Sequence, residues 1–173
     1  MRDAVETALR QNWQGLFGYA MRLSGDRDGA ADLLQSCAMK ALASDTVPDA
    51  AGIRSWLFAI LRNGFFDDRR RASVRADHSD VETGLDTPWR HDDRLIAEIT
   101  VKQGLDRLDA THRDIIELVD LAGFRYAEAA EILGVPVGTV MSRLSRARLA
   151  LLDEIGGRNV TTLPTGRARV ERR

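Results

Sequence analysis

The side chains best suited to a chemical task lie in "GVPVGTVMSRLSRAR", residues 134 to 148. Wound as a helix, Val137, Gly138, Thr139, Ser142, Arg143 and Arg146 form one exposed face, and no acid interrupts it. Small residues at its start let a backbone approach a large ligand. Hydroxyls and guanidiniums then donate to phosphate oxygens and to guanine edges. This is the chemistry of holding a polyanion. A second set lies in "RSWLFAILRNGFFDDRRR", where Trp56, Asn63 and Arg70 recur every seven residues, with Arg62 and Arg69 beside them. An aromatic ring, an amide and guanidiniums together suit single-stranded nucleic acid, through stacking, base-edge reading and backbone contact. The same residues equally describe a helix whose Trp is partly in the core and whose Arg cluster complements a helix C-terminus.

These side chains need particular elements to hold them. Before the first set, "AEAAEIL" is an Ala-rich segment carrying Glu128 and Glu131. Gly134 stands where that helix must stop, since glycine takes the left-handed conformation without steric cost. Pro136 starts the next helix, whose first turn needs no amide from it. Ala130 is small enough for two helices to cross closely, and Val140 with Leu144 pins the second against the first. These spacings predict a helix-turn-helix, whose second helix enters the major groove. An ordinary helical hairpin with a solvated Arg face is the alternative. The coincidence of the Ala-Gly-Val spacing with an acid-free face decides against it.

Helical periodicity dominates the rest, with no convincing strand. Val5 to Leu23 reads as a helix with Trp13, Leu16, Phe17 and Ala20 on one stripe, ended by the turn "SGDRDG". In the next helix Leu34, Ala38, Ala41 and Leu42 make a core face, while Asp32, Gln35, Ser36 and Met39 point away. "SDTVPDAAG" is a loop, and the Trp56 helix is buried through Leu57, Ile60 and Leu61, with Phe65 and Phe66 also in the core. From Ala72 to Asp93 the chain turns polar and acidic without apolar period, which predicts a mobile linker in which Trp89 is the one candidate anchor. Two helices broken near Leu108 to Thr111 lead into the helix-turn-helix, and the residues after Ile155 form a basic tail. The expected fold class is all-α. It comprises one small helical bundle over 1–71, a linker over 72–93, a second bundle over 94–155 and a disordered tail over 156–173.

Composition sets limits on this picture. The 173 residues carry a net charge of −1 with 29% charged residues, so any nucleic-acid role rests on where the Arg residues sit. The amino-terminal segment is too charged for a secretory signal, and no run reaches the roughly 18 to 20 apolar residues of a membrane span. One cysteine, Cys37, suits a reducing cytosol and reads as a buried small hydrophobe. The three histidines, His78, His91 and His112, share no ligand spacing, so no metal or other cofactor is expected. Asp67 and Asp68 diverge on a helix among Arg neighbours, which makes them salt-bridge partners rather than an acid–base pair. No phosphate-binding Gly loop and no nucleophile–base pair is present, and no catalytic activity is expected.

With both halves read, the chain resembles the extracytoplasmic-function (ECF) sigma factors, group IV of the bacterial sigma-70 class, from about Leu16 to Ile155. "LFGYAMRLSGDRDGAADLLQSCAMKAL" is similar to regions 2.1 and 2.2, and "IRSWLFAILRNGFFDDRRR" to regions 2.3 and 2.4. "LDRLDATHRDIIELVDLAGFRYAEAAEILGVPVGTVMSRLSRARLAL" is similar to region 4. The resemblance implies sigma-2 and sigma-4 domains that bind core RNA polymerase, through the beta-prime clamp helices and the beta flap, and direct it to promoter DNA. It places Asp32, Gln35 and Met39 on the clamp helices, although Ser36 stands where the family usually has Glu. It places Trp56, Arg62, Asn63, Arg69 and Arg70 at the melted −10 element, with Asn63 and the Ser44 to Gly52 loop around a flipped base. It places Arg125, Val137, Thr139, Ser142, Arg143 and Arg146 at the −35 duplex, although "FRYAEAA" replaces the usual "LSYEEIA". The linker resembles the segment that threads the RNA exit path. An anti-sigma factor and a cytoplasmic location are also implied. A stand-alone helix-turn-helix regulator shares the second half but has no need of "RSWLFAILRN".

Overall fold

The computed structural model describes residues 2–75 and 93–159. The central linker, Trp89, His78, His91 and the end of the basic tail lie outside the described residues. Seven helices follow in chain order among the described residues: α1 (Arg2–Ser24), α2 (Arg27–Leu42), α3 (Ile53–Arg75), α4 (Asp93–Arg107), α5 (Ala110–Ile116), α6 (Tyr126–Leu133) and α7 (Val137–Asn159). After α5 the chain runs on as a wider π-helical turn, Glu117–Leu121. No strand occurs among them, as the periodicity predicts.

Local chemistry sets the boundaries. Gly25 closes α1 at φ 84° and donates to the Met21 carbonyl, and Asp26 caps α2 by accepting the Gly29 N–H at 2.8 Å. Asp109 caps α5 in the same way, accepting from Thr111 at 2.9 Å and His112 at 3.0 Å. These caps satisfy amides that the first helical turn leaves without partners. Two helices overrun the expected limits. α3 continues to Arg75, past the expected start of the linker at Ala72, and α7 continues to Asn159, past the expected start of the tail after Ile155.

α1, α2 and α3 enclose one core, with Val5, Leu9, Leu16, Leu34, Cys37, Leu57 and Leu61 buried. Trp13 departs from the expected stripe. It is 49% exposed, because α2 offers it Ala31 and Ala38, too short to cover an indole, and a groove remains there. Tyr19, which the periodicity does not single out, is fully buried instead. α4 to α7 enclose a second core of Leu105, Leu108, Ile115, Leu118, Ile132, Val140 and Leu144.

The two bundles pack on each other through one side of α3, with Tyr19 and Arg22 of α1 beside it. Phe58 meets Phe124 edge to face with centroids 4.7 Å apart, and Tyr19 lies 5.4 Å from Phe58 on the other side. Arg54 places its guanidinium 4.0 Å from the Phe124 centroid and donates to the Ala122 carbonyl. The π turn makes this possible. It leads to Gly123, at φ 71°, and presents the carbonyl and the ring on either side of that residue to Arg54. Ser55 donates to Glu131 at 3.3 Å, and Arg22 lies 3.6 Å from Glu117.

Candidate nucleic-acid interface

α6, its turn and α7 form the helix-turn-helix. Gly134 adopts φ 64° and ψ 37°, and its N–H and that of Val135 turn back to the last carbonyls of α6. The Pro136 carbonyl accepts from Thr139 at 2.9 Å and Val140 at 3.2 Å, which starts α7. Ala130, Val140 and Leu144 are buried at the crossing. The crossing residues and the acid-free face thus separate as the spacing predicts. Val137, Gly138, Ser142 and Arg146 are exposed, while Thr139 and Arg143 are half-buried. Ser142 donates to the Thr139 carbonyl at 3.1 Å and Arg146 to the Ser142 carbonyl at 3.3 Å, so the face is ordered by bonds within its own helix. Met141, 53% exposed one turn after Val137, extends this side; the i, i+4 spacing was the available signal for it.

Arg148 is not part of that face. Its Nε and a terminal nitrogen donate to the two carboxylate oxygens of Asp120 on the π turn, and this pairing raises the guanidinium pKa further. The bidentate bond fixes α7 against the π turn. Arg125 is exposed immediately before α6, where its backbone N–H donates to Glu128 at 2.7 Å.

On α3 the structure divides the sequence-selected residues. Asn63, Arg69 and Arg70 are exposed and Trp56 is half-buried against the core. Arg62 lies about 100° around the helix from Asn63 and faces the second bundle, where its Nε donates to Asp114 at 2.7 Å and its guanidinium lies 4.7 Å from the Phe66 centroid. Phe65 packs partly into the core, as expected, while Phe66 is half-buried beneath Arg62. Asp67 and Asp68 pair with Arg70 at 3.9 Å and Arg71 at 3.7 Å, the arrangement expected of them. In the loop before α3, Asp49 accepts the Gly52 N–H at 2.9 Å.

On α2, Asp32, Gln35 and Met39 are exposed together. Gln35 also borders the apolar groove lined by Trp13 and Phe17, which the sequence pattern does not reveal. Cys37 is buried, and burial pushes its thiol pKa up to about 12, so it holds no reactive thiolate at neutral pH. Burial also raises the Tyr19 hydroxyl pKa, reinforced by the neighbouring Asp114 charge. Glu117 rises to about 7 through burial, against the opposing pull of Arg22.

Two bundles with these faces define a class that the family comparisons identify. Residues 8–75 match the model described as Sigma-70 region 2, and residues 99–151 match Sigma-70, region 4. The chain is 39% identical to the ECF RNA polymerase sigma factor EcfG of Rhodopseudomonas palustris over 87% of its own length and 82% of that protein. It is 34% identical to the ECF RNA polymerase sigma factor SigL of Mycobacterium tuberculosis, over 82% and 84% respectively. Its fold is similar to that of the sigma factor RpoE of Bartonella quintana, solved in complex with the anti-sigma factor NepR. The TM-score is 0.73, with 33% identity, 87% of this chain covered and 96% of that one. The chain belongs to the sigma-70 family, and within it to the ECF RNA polymerase sigma factors. It is a transcription-initiation factor. No helix among the described residues is long and apolar enough to cross a membrane.

Proposed function

We propose that the two bundles divide promoter recognition between them. The exposed face at the start of α7, Val137, Thr139, Ser142, Arg143 and Arg146 with Arg125 beside it, reads the −35 duplex from the major groove. Trp56, Arg62, Asn63, Arg69 and Arg70 of α3 hold the melted −10 strand by stacking, amide and guanidinium contacts. Asp32, Gln35 and Met39 on α2 pack on the beta-prime clamp helices of core polymerase, and the second bundle meets the beta flap. The protein works in the cytoplasm, catalyses nothing itself and takes its chemistry from the polymerase. An anti-sigma factor holds it inactive, as NepR is found on the Bartonella relative.

The observation that carries this reading is the α6–α7 geometry. A left-handed Gly134 and buried Ala130, Val140 and Leu144 leave an acid-free face outside. The test is multi-round transcription from fragmented host genome with core polymerase and the purified full chain. Start sites that need the protein and share two spaced elements are the expected result. Duplex binding without polymerase and no new starts would identify a stand-alone regulator instead.

A further inference from the structure

Asp114, on α5, is 5% exposed and accepts from two side chains of the other bundle, the Tyr19 hydroxyl of α1 and the Arg62 guanidinium of α3. No other residue of the described structure gathers both of these groups. The carboxylate thus ties the second bundle to two helices of the first at once. Around it a small cavity of about 160 Å³ is lined by Arg62, Phe66, Thr111, Leu133 and Arg143. Arg62 and Arg143 therefore border one cavity, although each belongs to a different proposed DNA-reading face. The −10 and −35 elements lie about 25 base pairs apart, or ~85 Å along B-form DNA. Two side chains lining one cavity cannot reach both.

We propose that Asp114 is an intramolecular latch. It holds the two bundles in a closed state that is incompetent for promoter binding, and its release from Tyr19 and Arg62 is a required step in loading. Arg62 cannot donate to Asp114 and to a phosphate or base with the same Nε, so nucleic acid and latch compete for it. In the open state Asp114 returns to water, which removes the cost of leaving a buried carboxylate without its donors. This inference rests on the two-faced promoter reading for its functional half. Its structural half stands on the geometry alone.

The test compares wild type, Asp114→Asn and Tyr19→Phe as full chains. Tyr19→Phe removes one hydroxyl and keeps the ring beside Phe58, and helical circular dichroism confirms that each variant is folded. Small-angle scattering reads compactness, and transcription with core polymerase at limiting protein reads loading. The latch predicts a larger radius of gyration in both variants and a roughly tenfold gain in transcription, the population change that losing a charge-assisted hydrogen bond of ~1.4 kcal/mol produces. Folded variants with unchanged compactness overturn the latch. Opening without a gain in transcription overturns its role in loading. Opening with no promoter-specific transcription from any of the three proteins leaves the latch standing and overturns the promoter reading.

Discussion

The recognition helix α7 and the Arg-rich helix α3 are both 23 residues long and both carry an arginine face, yet the fold treats the two faces differently. On α7 the exposed face makes its hydrogen bonds within its own helix, through Ser142 to Thr139 and Arg146 to Ser142. On α3 the faces are divided. Asn63, Arg69 and Arg70 are exposed and face away from the second bundle's contacts, whereas Arg54, Ser55, Phe58 and Arg62 are committed to that bundle. The exposed part of the α7 face is preformed, and of that face only Arg143 borders the cavity between the bundles. If α3 holds a melted strand as proposed, Arg62 has to leave Asp114 first, so the latch bears more heavily on α3 than on α7.

The largest expected effect tests whether the two bundles behave as one unit. Leu57 at 0% exposure and Leu144 at 2% are core residues of the first and second bundle. Each Leu→Ala change should cost ~2–5 kcal/mol through lost transfer energy and cavity formation. Hydrogen exchange should show either loss spreading into both bundles if the interface couples their unfolding. Exchange that accelerates in the mutated bundle alone would reduce the contact to a weak docking.

Next in size are the arginines. Arg143→Ala should weaken promoter recognition by ~1–3 kcal/mol and relax the preference at one position of the −35 element. Arg69→Ala should lower affinity for all promoters alike and flatten the salt dependence, as expected of a guanidinium proposed to meet backbone rather than base edges. Competition assays with permuted promoters at two salt concentrations separate the two outcomes. The same pattern for both variants would erase the distinction between a base-reading helix and a strand-holding one.

Gly134→Ala should follow, at about 1 kcal/mol. Nothing lies within 4 Å of the position a Cβ would take, so the whole cost is the left-handed backbone at φ 64°. A melting experiment should show this loss, with −35 binding reduced and −10 contacts unchanged. A change that leaves both stability and −35 binding intact would mean that the turn does not set the angle of α7.

How far the chain could be read without coordinates follows the range of the forces involved. The helix-turn-helix was legible because its determinants lie within seventeen residues, Ala130 to Arg146: a glycine with positive φ, a small crossing residue, two buried apolar residues and an acid-free face. The core stripe of α2 and the salt bridges of Asp67 and Asp68 were legible for the same reason, since i, i+3 and i, i+4 spacing decides them. Tyr19 and Arg62 were not, because their partner Asp114 lies 95 and 52 residues away. An Arg in an Arg-rich segment carries no local mark of having a buried partner. Trp13 misled for a related reason, as exposure there depends on the short side chains that α2 happens to place opposite.

The smallest expected effect sharpens the comparison through pH. Glu117 is 2% exposed in the closed form, and burial raises its pKa to about 7. Arg22 from α1 and Arg113 from α5 oppose that rise, while Asp114 from α5 and Asp106 from α4 add to it. An opened chain exposes Glu117 on the side facing Arg22 and brings its pKa back toward the ordinary carboxylate range near 4.3. The closed form therefore binds the proton more tightly. Its advantage from this residue is complete below the open-state pKa and is lost as pH rises through about 7. Between pH 6 and pH 8 the shift toward opening should reach at most about tenfold, ~1.4 kcal/mol, and fall below that to the extent that α5 itself keeps Glu117 covered. Scattering across this range should show the wild type expanding with pH, and Glu117→Gln should flatten the profile. A Glu117→Gln profile that still rises would place the titrating group elsewhere. A flat wild-type profile would mean that Glu117 remains buried when the bundles part, so that its proton belongs to the second core rather than to the contact between the bundles.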